Sequence, residues 1–152
     1  MIIPYQKKKR TEVKKFVLNV LSEFGFSYNR RADFDLSEID KYYSKTNRSI
    51  FLLYIDKNKI LGTIALKKLD KDTAELKRFY VANEYRGQSI GRQLHSEVLK
   101  YAQVFKYKKI ILNTTPNMLR AIEFYKRAGY KRLRQQAKNL EQVYFQLDVS
   151  HQ

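Results

Sequence analysis

The chain has 152 residues, the size of one ordinary domain, and carries a formal net charge of +16. It contains no cysteine, which excludes disulfide scaffolds, thiolate zinc sites and cysteine nucleophiles; its two histidines, His95 and His151, are too far apart in sequence to suggest a metal cluster, so no metal is expected. Hydrophobic residues at 43% and aromatic residues at 14% argue against disorder, and the N-terminal Met-Ile-Ile-Pro-Tyr runs straight into Lys7, Lys8, Lys9 and Arg10 with no apolar stretch for a signal peptide or membrane span. A single domain over residues 1–152 is expected, cytoplasmic and without a membrane partner. The charge implies an anionic partner, or else a solvated lysine-rich surface; charge alone names no ligand.

A short strand over residues 2–5 precedes a helix over 11–24, where Val13, Phe16, Val17, Val20, Leu21 and Phe24 recur at helical spacing. Residues 35–43 read as a second helix, with Asp35 or Ser37 placed to cap it. Two apolar, β-branched runs, 50–55 and 60–66, flank the turn Asp56-Lys-Asn-Lys and form a hairpin, and a further strand covers 74–81. A polar glycine-containing loop then leads into a helix carrying Leu94, Val98, Leu99, Ala102 and Phe105. Residues 109–113 read as a buried strand, 117–128 as a helix ended by Gly129, 135–139 as a loop and 142–149 as the strand that closes the sheet. Strand, helix, strand in that order implies a parallel pair at the crossover.

The segment that carries chemistry is Leu76-Lys-Arg-Phe-Tyr-Val-Ala-Asn-Glu-Tyr-Arg-Gly-Gln-Ser-Ile-Gly-Arg-Gln-Leu, a strand that ends in a loop and re-emerges as a helix. A helix N-terminus offers unpaired N–H groups and a partial positive charge, which together bind phosphate. Small residues at Gly87, Ser89 and Gly91 let a pyrophosphate approach that backbone, and Arg86 and Arg92 add charge at either end. The loop lacks a Gly-Lys-Ser/Thr ending and a Gly-x-Gly-x-x-Gly run, which argues against nucleoside triphosphate and dinucleotide sites. Arg86-x-x-Ser89-x-Gly91 resembles motif A of the GNAT acetyltransferases, usually Gln/Arg-x-x-Gly-x-Gly/Ala. The preceding Glu75-Leu-Lys-Arg-Phe-Tyr-Val-Ala resembles that family's fourth strand, and Ala121-Ile-Glu-Phe-Tyr125-Lys-Arg-Ala-Gly129-Tyr130 its motif B, so the resemblance spans essentially the whole chain.

That resemblance implies an α/β fold with a mixed, mostly antiparallel sheet of six to seven strands, about four flanking helices and a splayed parallel pair at its centre. It implies an N-acetyltransferase using acetyl-CoA as co-substrate; the strong positive charge, which should repel polybasic tails, points to a small amino compound or an acidic peptide N-terminus as acceptor. The CoA pyrophosphate would lie on the amides of Arg86, Gly87, Gln88, Ser89, Ile90, Gly91 and Arg92, and the acetyl-pantetheine arm along Phe79, Tyr80 and Val81. The N–H of Val81 would face the developing oxyanion. Tyr125 matches the tyrosine that protonates the leaving thiolate, its other reading being a core aromatic; Glu75 is the candidate general base, its other reading an ion pair with Lys77 or Arg78. Ser89 stands where the family prefers glycine, and Met118 where it prefers asparagine, with Asn117 one position earlier as a cofactor contact. Strand alternation puts Glu75, Lys77, Phe79 and Val81 on one face and Leu76, Arg78 and Tyr80 on the other. His95 reads as a surface residue. The acceptor pocket is expected from residues 29–44 and 132–146. A basic nucleic-acid-binding module, unsupported by any motif, and a catalytically silent acyl-CoA sensor are the competing readings; monomer and homodimer, the latter through an exposed final strand, both stay open.

Overall fold

The computed structural model describes residues 1–134 and 142–151, so the loop expected at 135–139 lies outside the described residues. The described strands form one sheet in the order β1-β2-β3-β4-β5-β7-β6, with β1 Ile2–Pro4, β2 Ile50–Asp56, β3 Lys59–Lys68, β4 Thr73–Val81, β5 Lys109–Thr114, β6 Lys131–Arg132 and β7 Val143–Asp148. Every neighbouring pair is antiparallel except β4 and β5. The helices are α1 Arg10–Glu23, α2 Ile39–Tyr42, α3 Ile90–Val104 and α4 Leu119–Arg127. The fold is therefore the expected mixed sheet with a parallel pair inside it.

The hairpin between β2 and β3 turns on Lys57 and Asn58, both at positive φ (48° and 64°), which matches the twist of the flanking strands. The helix expected over 35–43 is instead a 3-10 turn, Phe34–Ser37, followed by the single turn of α2. Neither Asp35 nor Ser37 caps it; Asp35 is fully buried and points into the molecule. The final strand β7 is not an edge either, because Lys131 and Arg132 pair with its outer side.

Two apolar layers lie on the two faces of the sheet. On one, Leu94, Val98 and Ala102 of α3 pack on Leu52, Ile64, Leu66, Leu76, Ile110 and Phe145. On the other, Val13 and Val17 of α1 pack with Leu36, Ile39, Phe51 and Leu53. Gly62 sets the approach of α3: a Cβ there would stand 2.9 Å from Leu94 Cδ1 and 3.1 Å from the Tyr80 carbonyl.

Two irregularities mark β4. First, Lys77 pairs with Ala65 and Tyr80 with Thr63, so Arg78 and Phe79 together stand opposite Ile64 in a β-bulge, with Arg78 at φ 53°. The bulge reverses the strand's alternation. Ala74 and Leu76 face α3 before it and Phe79 and Val81 face α3 after it, while Glu75 and Lys77 lie on the opposite face. The simple alternation that grouped Glu75 and Lys77 with Phe79 and Val81 is thus corrected. Second, β4 and β5 pair only at Thr73↔Lys109, Ala74↔Ile110 and Glu75↔Ile111. Past Glu75 the strands diverge, leaving the C-terminal half of β4 with one partner strand.

Candidate active site

The loop after β4 descends through a 3-10 turn at Asn83–Tyr85 and enters α3 through two left-handed residues, Gly87 (φ 82°) and Ser89 (φ 68°). The helix's first i→i−4 bond runs from the Gln93 N–H to the Ser89 carbonyl at 3.0 Å. The N–H groups of Ile90, Gly91 and Arg92 precede it, have no helical acceptor and sit at the positive end of a fifteen-residue helix. Ser89 takes the left-handed conformation that its position demands, at about 1–2 kcal/mol. Its hydroxyl does not cap the helix but accepts from Gln93 Nε2 at 3.0 Å. A Cβ on Gly91 would lie 3.5 Å from Phe79 Cζ, an ordinary contact, so nothing in the protein itself requires glycine there.

Arg86 is held by partners within the protein. Its Nε donates to the Val81 carbonyl at 3.0 Å, and its Nη1 donates to Asn83 Oδ1 at 3.2 Å and pairs with Glu23 at 2.8 Å. The side chain therefore ties the end of β4 to the end of α1. Gln88 folds back onto the Glu84 carbonyl at 3.4 Å. Arg120 on α4, which no motif in the sequence singled out, reaches the loop from across the site, its Nη2 3.7 Å from where a Gly87 Cβ would be. Arg92 is exposed on the first turn of α3.

Beside this loop the edge of β4 is open. The Ala82 N–H bonds the Leu61 carbonyl at 2.9 Å, and main-chain groups alternate sides along a ladder, so those of Val81 face the edge that β5 has left. Behind that edge stands an aromatic wall. Tyr125 is buried with ring centroids 6.2 Å from Phe79, 5.5 Å from Tyr130 and 5.9 Å from Phe145. Burial, helped by nearby Tyr80, pushes its phenol above the usual tyrosine range, so it keeps its proton at neutral pH. Burial raises Tyr80 as well, against the pull of the Arg78 guanidinium.

His95 is no surface residue. It is 5% exposed, lies against Phe79 and shares a 2.9 Å hydrogen bond between Nε2 and the Tyr130 hydroxyl. Desolvation drives its pKa down to about 4, so it is neutral at physiological pH and built into the wall. Its place was legible in the stripe Ile90, Leu94, His95, Val98, Ala102 on the buried side of α3. Asn117 lies exposed just before α4 and accepts from Thr115 Oγ1 at 2.5 Å, while Met118 takes the N-cap position.

On the opposite face, Glu75 sits at the last β4–β5 pair and makes an ion pair with Lys77 at 3.7 Å. Next to it Arg78 is buried with Asp33 at 3.0 Å and Asp35 at 2.6 Å, and Tyr43 donates to Asp35 at 2.6 Å. Burial opposes the charge on Asp35, yet the hydrogen bonds and charge of Arg78 hold its carboxyl below the ordinary range. A cavity of about 440 Å³, lined by Arg132, Leu133, Arg134, Val143 and Tyr144, opens beside the end of β5, where Thr114 pairs with Val143. Among the described residues there is no cluster of His, Cys, Asp or Glu able to hold a metal, and no helix is long and apolar enough to cross a membrane.

The family model described as "Acetyltransferase (GNAT) family" matches residues 15–130. N-acetylaspartate synthetase of Xenopus tropicalis is 34% identical over 98 residues, which cover 64% of this chain and 36% of the relative. The chain spans about a third to a half of the length of the N-acetylaspartate synthetases it matches. Among solved structures, an acetyltransferase of the GNAT family from Staphylococcus aureus Mu50 superimposes with a TM-score of 0.89 at 26% identity over 98% of both chains. The PaiA N-acetyltransferase of Thermoplasma acidophilum, solved in complex with coenzyme A, shares the fold with a TM-score of 0.75 at 18% identity, over 97% of this chain and 98% of its own.

Proposed function

The chain belongs to the GNAT acetyltransferase family, and from that membership we propose that it moves the acetyl group of acetyl-CoA to the primary amine of a small anionic acceptor, an acidic amino acid or an acidic peptide N-terminus. The observation that carries this reading is the conjunction of a free helix N-terminus, an open β4 edge and a protonated, buried tyrosine at one mouth of the sheet. The pyrophosphate rests on the amides from Gly87 to Arg92, with Gln88, Ser89 and Ile90 supplying backbone. Arg92 and Arg120 contribute charge, and Arg86 holds the loop to the strand. The acetyl-pantetheine arm takes the place of the missing strand along Phe79, Tyr80 and Val81.

The amine attacks from the Glu75 face. It must first lose a proton, which costs about 4–5 kcal/mol for a lysine-like amine at pH 7 but only about 1–1.5 for the α-amine of a peptide N-terminus. Glu75, which pairs with Lys77, accepts that proton through water. The N–H of Val81 receives the oxyanion, a donor whose loss costs roughly 3 kcal/mol. Tyr125 donates to the departing sulfur. Because its phenol is a weaker acid than a thiol, it acts first as a hydrogen-bond donor, and the net proton is the one the amine releases.

Three observations support an anionic acceptor: Arg132 and Arg134 line the cavity beside β5, Lys77 flanks Glu75, and the Xenopus relative is named as an N-acetylaspartate synthetase. Calorimetric titration with acetyl-CoA tests the cofactor half. Micromolar binding by the wild type that is lost in Gly91→Glu supports the site, and no binding moves the basic nucleic-acid module to the front. Thiol release with aspartate or an acidic peptide in preference to polylysine supports the acceptor class; the reverse order overturns it, and binding without turnover on any amine leaves an acyl-CoA sensor.

A further inference from the structure

Resting on that reading, we propose that Arg78 is a positioning residue that couples cofactor uptake to the acceptor wall, its backbone shaping the open edge of β4 while its side chain holds residues 29–43. Both halves belong to one residue. The main chain of Arg78, at φ 53°, makes the bulge that turns Phe79 and Val81 towards α3 and the open edge. The side chain runs the other way. Its Nε donates to Asp35 Oδ2 at 3.0 Å, and its Nη2 to Asp35 Oδ1 at 2.6 Å, to Asp33 Oδ1 at 3.0 Å and to the Ala32 carbonyl at 3.1 Å.

The segment it holds is otherwise organised on itself. Asn29 Oδ1 accepts the N–H groups of Arg31 and Ala32, the Asn29 N–H donates to Asp33 Oδ2, and Tyr43 closes on Asp35. Leu36 and Ile39 anchor its later part in the core, but residues 29–33 are tied to the sheet by hydrogen bonds through Arg78. A buried guanidinium between two carboxylates is not what stability alone favours, since apolar side chains of similar volume pack a core at least as well. What the cluster provides is directional: any shift in the main chain at residues 78–81 moves the group on which Asp33 and Asp35 hang. A ligand that pairs with the open edge fixes that main chain, and so fixes the wall.

Amide hydrogen exchange followed by mass spectrometry tests this without any acceptor. In the wild type, saturating CoA, with uptake verified by calorimetry, is expected to slow exchange in residues 29–43 by about tenfold or more. In Arg78→Gly, which suits the left-handed backbone but lacks the clamp, bound CoA should still protect the loop at 86–92 and no longer protect 29–43. Asp33→Asn, which leaves β4 intact, should lose at least half of the wild-type effect, and stands in if the glycine variant does not fold. In steady-state kinetics the same variants should raise KM for the acceptor several-fold more than KM for acetyl-CoA. CoA uptake without slowing in the wild type, or slowing that persists in the variants, overturns the coupling alone; a wild type that takes up no CoA overturns the cofactor reading beneath it.

Discussion

At the scale of single residues, two buried side chains give opposite pH signatures. His95 has its pKa lowered from 6.5 to about 4, so the unfolded chain binds more protons between those values and stability falls as the pH drops through that window. The full effect is about 3 kcal/mol. Denaturant titration at pH 7.5 and pH 4.5 should show this loss, and His95→Gln, which keeps a partner for Tyr130 but does not titrate, should remove most of it. Tyr125 moves the other way: raised by burial, it keeps its proton through pH 10, so it contributes no descending limb to the rate below that value. Tyr125→Phe should lower kcat by about 10²-fold, within the usual range for a lost proton donor, with acetyl-CoA affinity held within a few-fold. A full-rate phenylalanine variant would return Tyr125 to the role of a core aromatic.

At the scale of elements, the turn into α3 separates what glycine does for the fold from what it does for the ligand. Gly91 is helical and has room for a methyl group, so Gly91→Ala should raise thermal stability by about 1 kcal/mol through helix propensity. If the pyrophosphate lies on this backbone as proposed, the same methyl group crowds its approach, so acetyl-CoA affinity should fall at least tenfold; unchanged affinity would remove Gly91 from the site. Ser89→Gly tests the converse, relieving a left-handed serine for a gain of about 1 kcal/mol with affinity kept. This loop was legible in the sequence because its chemistry is local: strand, small residues and helix succeed one another without interruption. The bulge was not, because Arg78 and Phe79 share one partner through pairing with a distant strand, and no property of Leu76-Lys-Arg-Phe-Tyr announces it. The destination of Asp35 was hidden for the same reason. Its turn-like neighbourhood suggested a cap, and only tertiary structure brings Arg78 across forty-three positions to claim it. The two residues of β6 carry too little pattern to be seen at all.

At the scale of the whole molecule, the net charge of +16 is the property the site itself uses least. Exposed lysines occur at the entry to α1 (Lys7, Lys8), at the end of β3 and in the turn after it (Lys68, Lys71) and between α3 and β5 (Lys106, Lys108), outside the loop that leads into α3. A field of that size acts at a distance, by raising the local concentration of any anion and the rate at which it arrives. Acetyl-CoA is a polyanion and the acidic acceptor proposed for the opposite face is a small anion, so both encounters should be steered, the first more strongly. Steering is screened over about 10 Å at 0.1 M salt. The kcat/KM for acetyl-CoA should therefore fall roughly tenfold between 20 mM and 300 mM salt, within the range by which steering changes on-rates, while kcat measured at saturation changes little. Replacing three of the exposed lysines by glutamate should flatten the salt dependence without touching the chemistry. If kcat falls with kcat/KM instead, salt acts on the site itself; if neither moves, the charge belongs to a solvated surface and plays no part in bringing either substrate to the cleft.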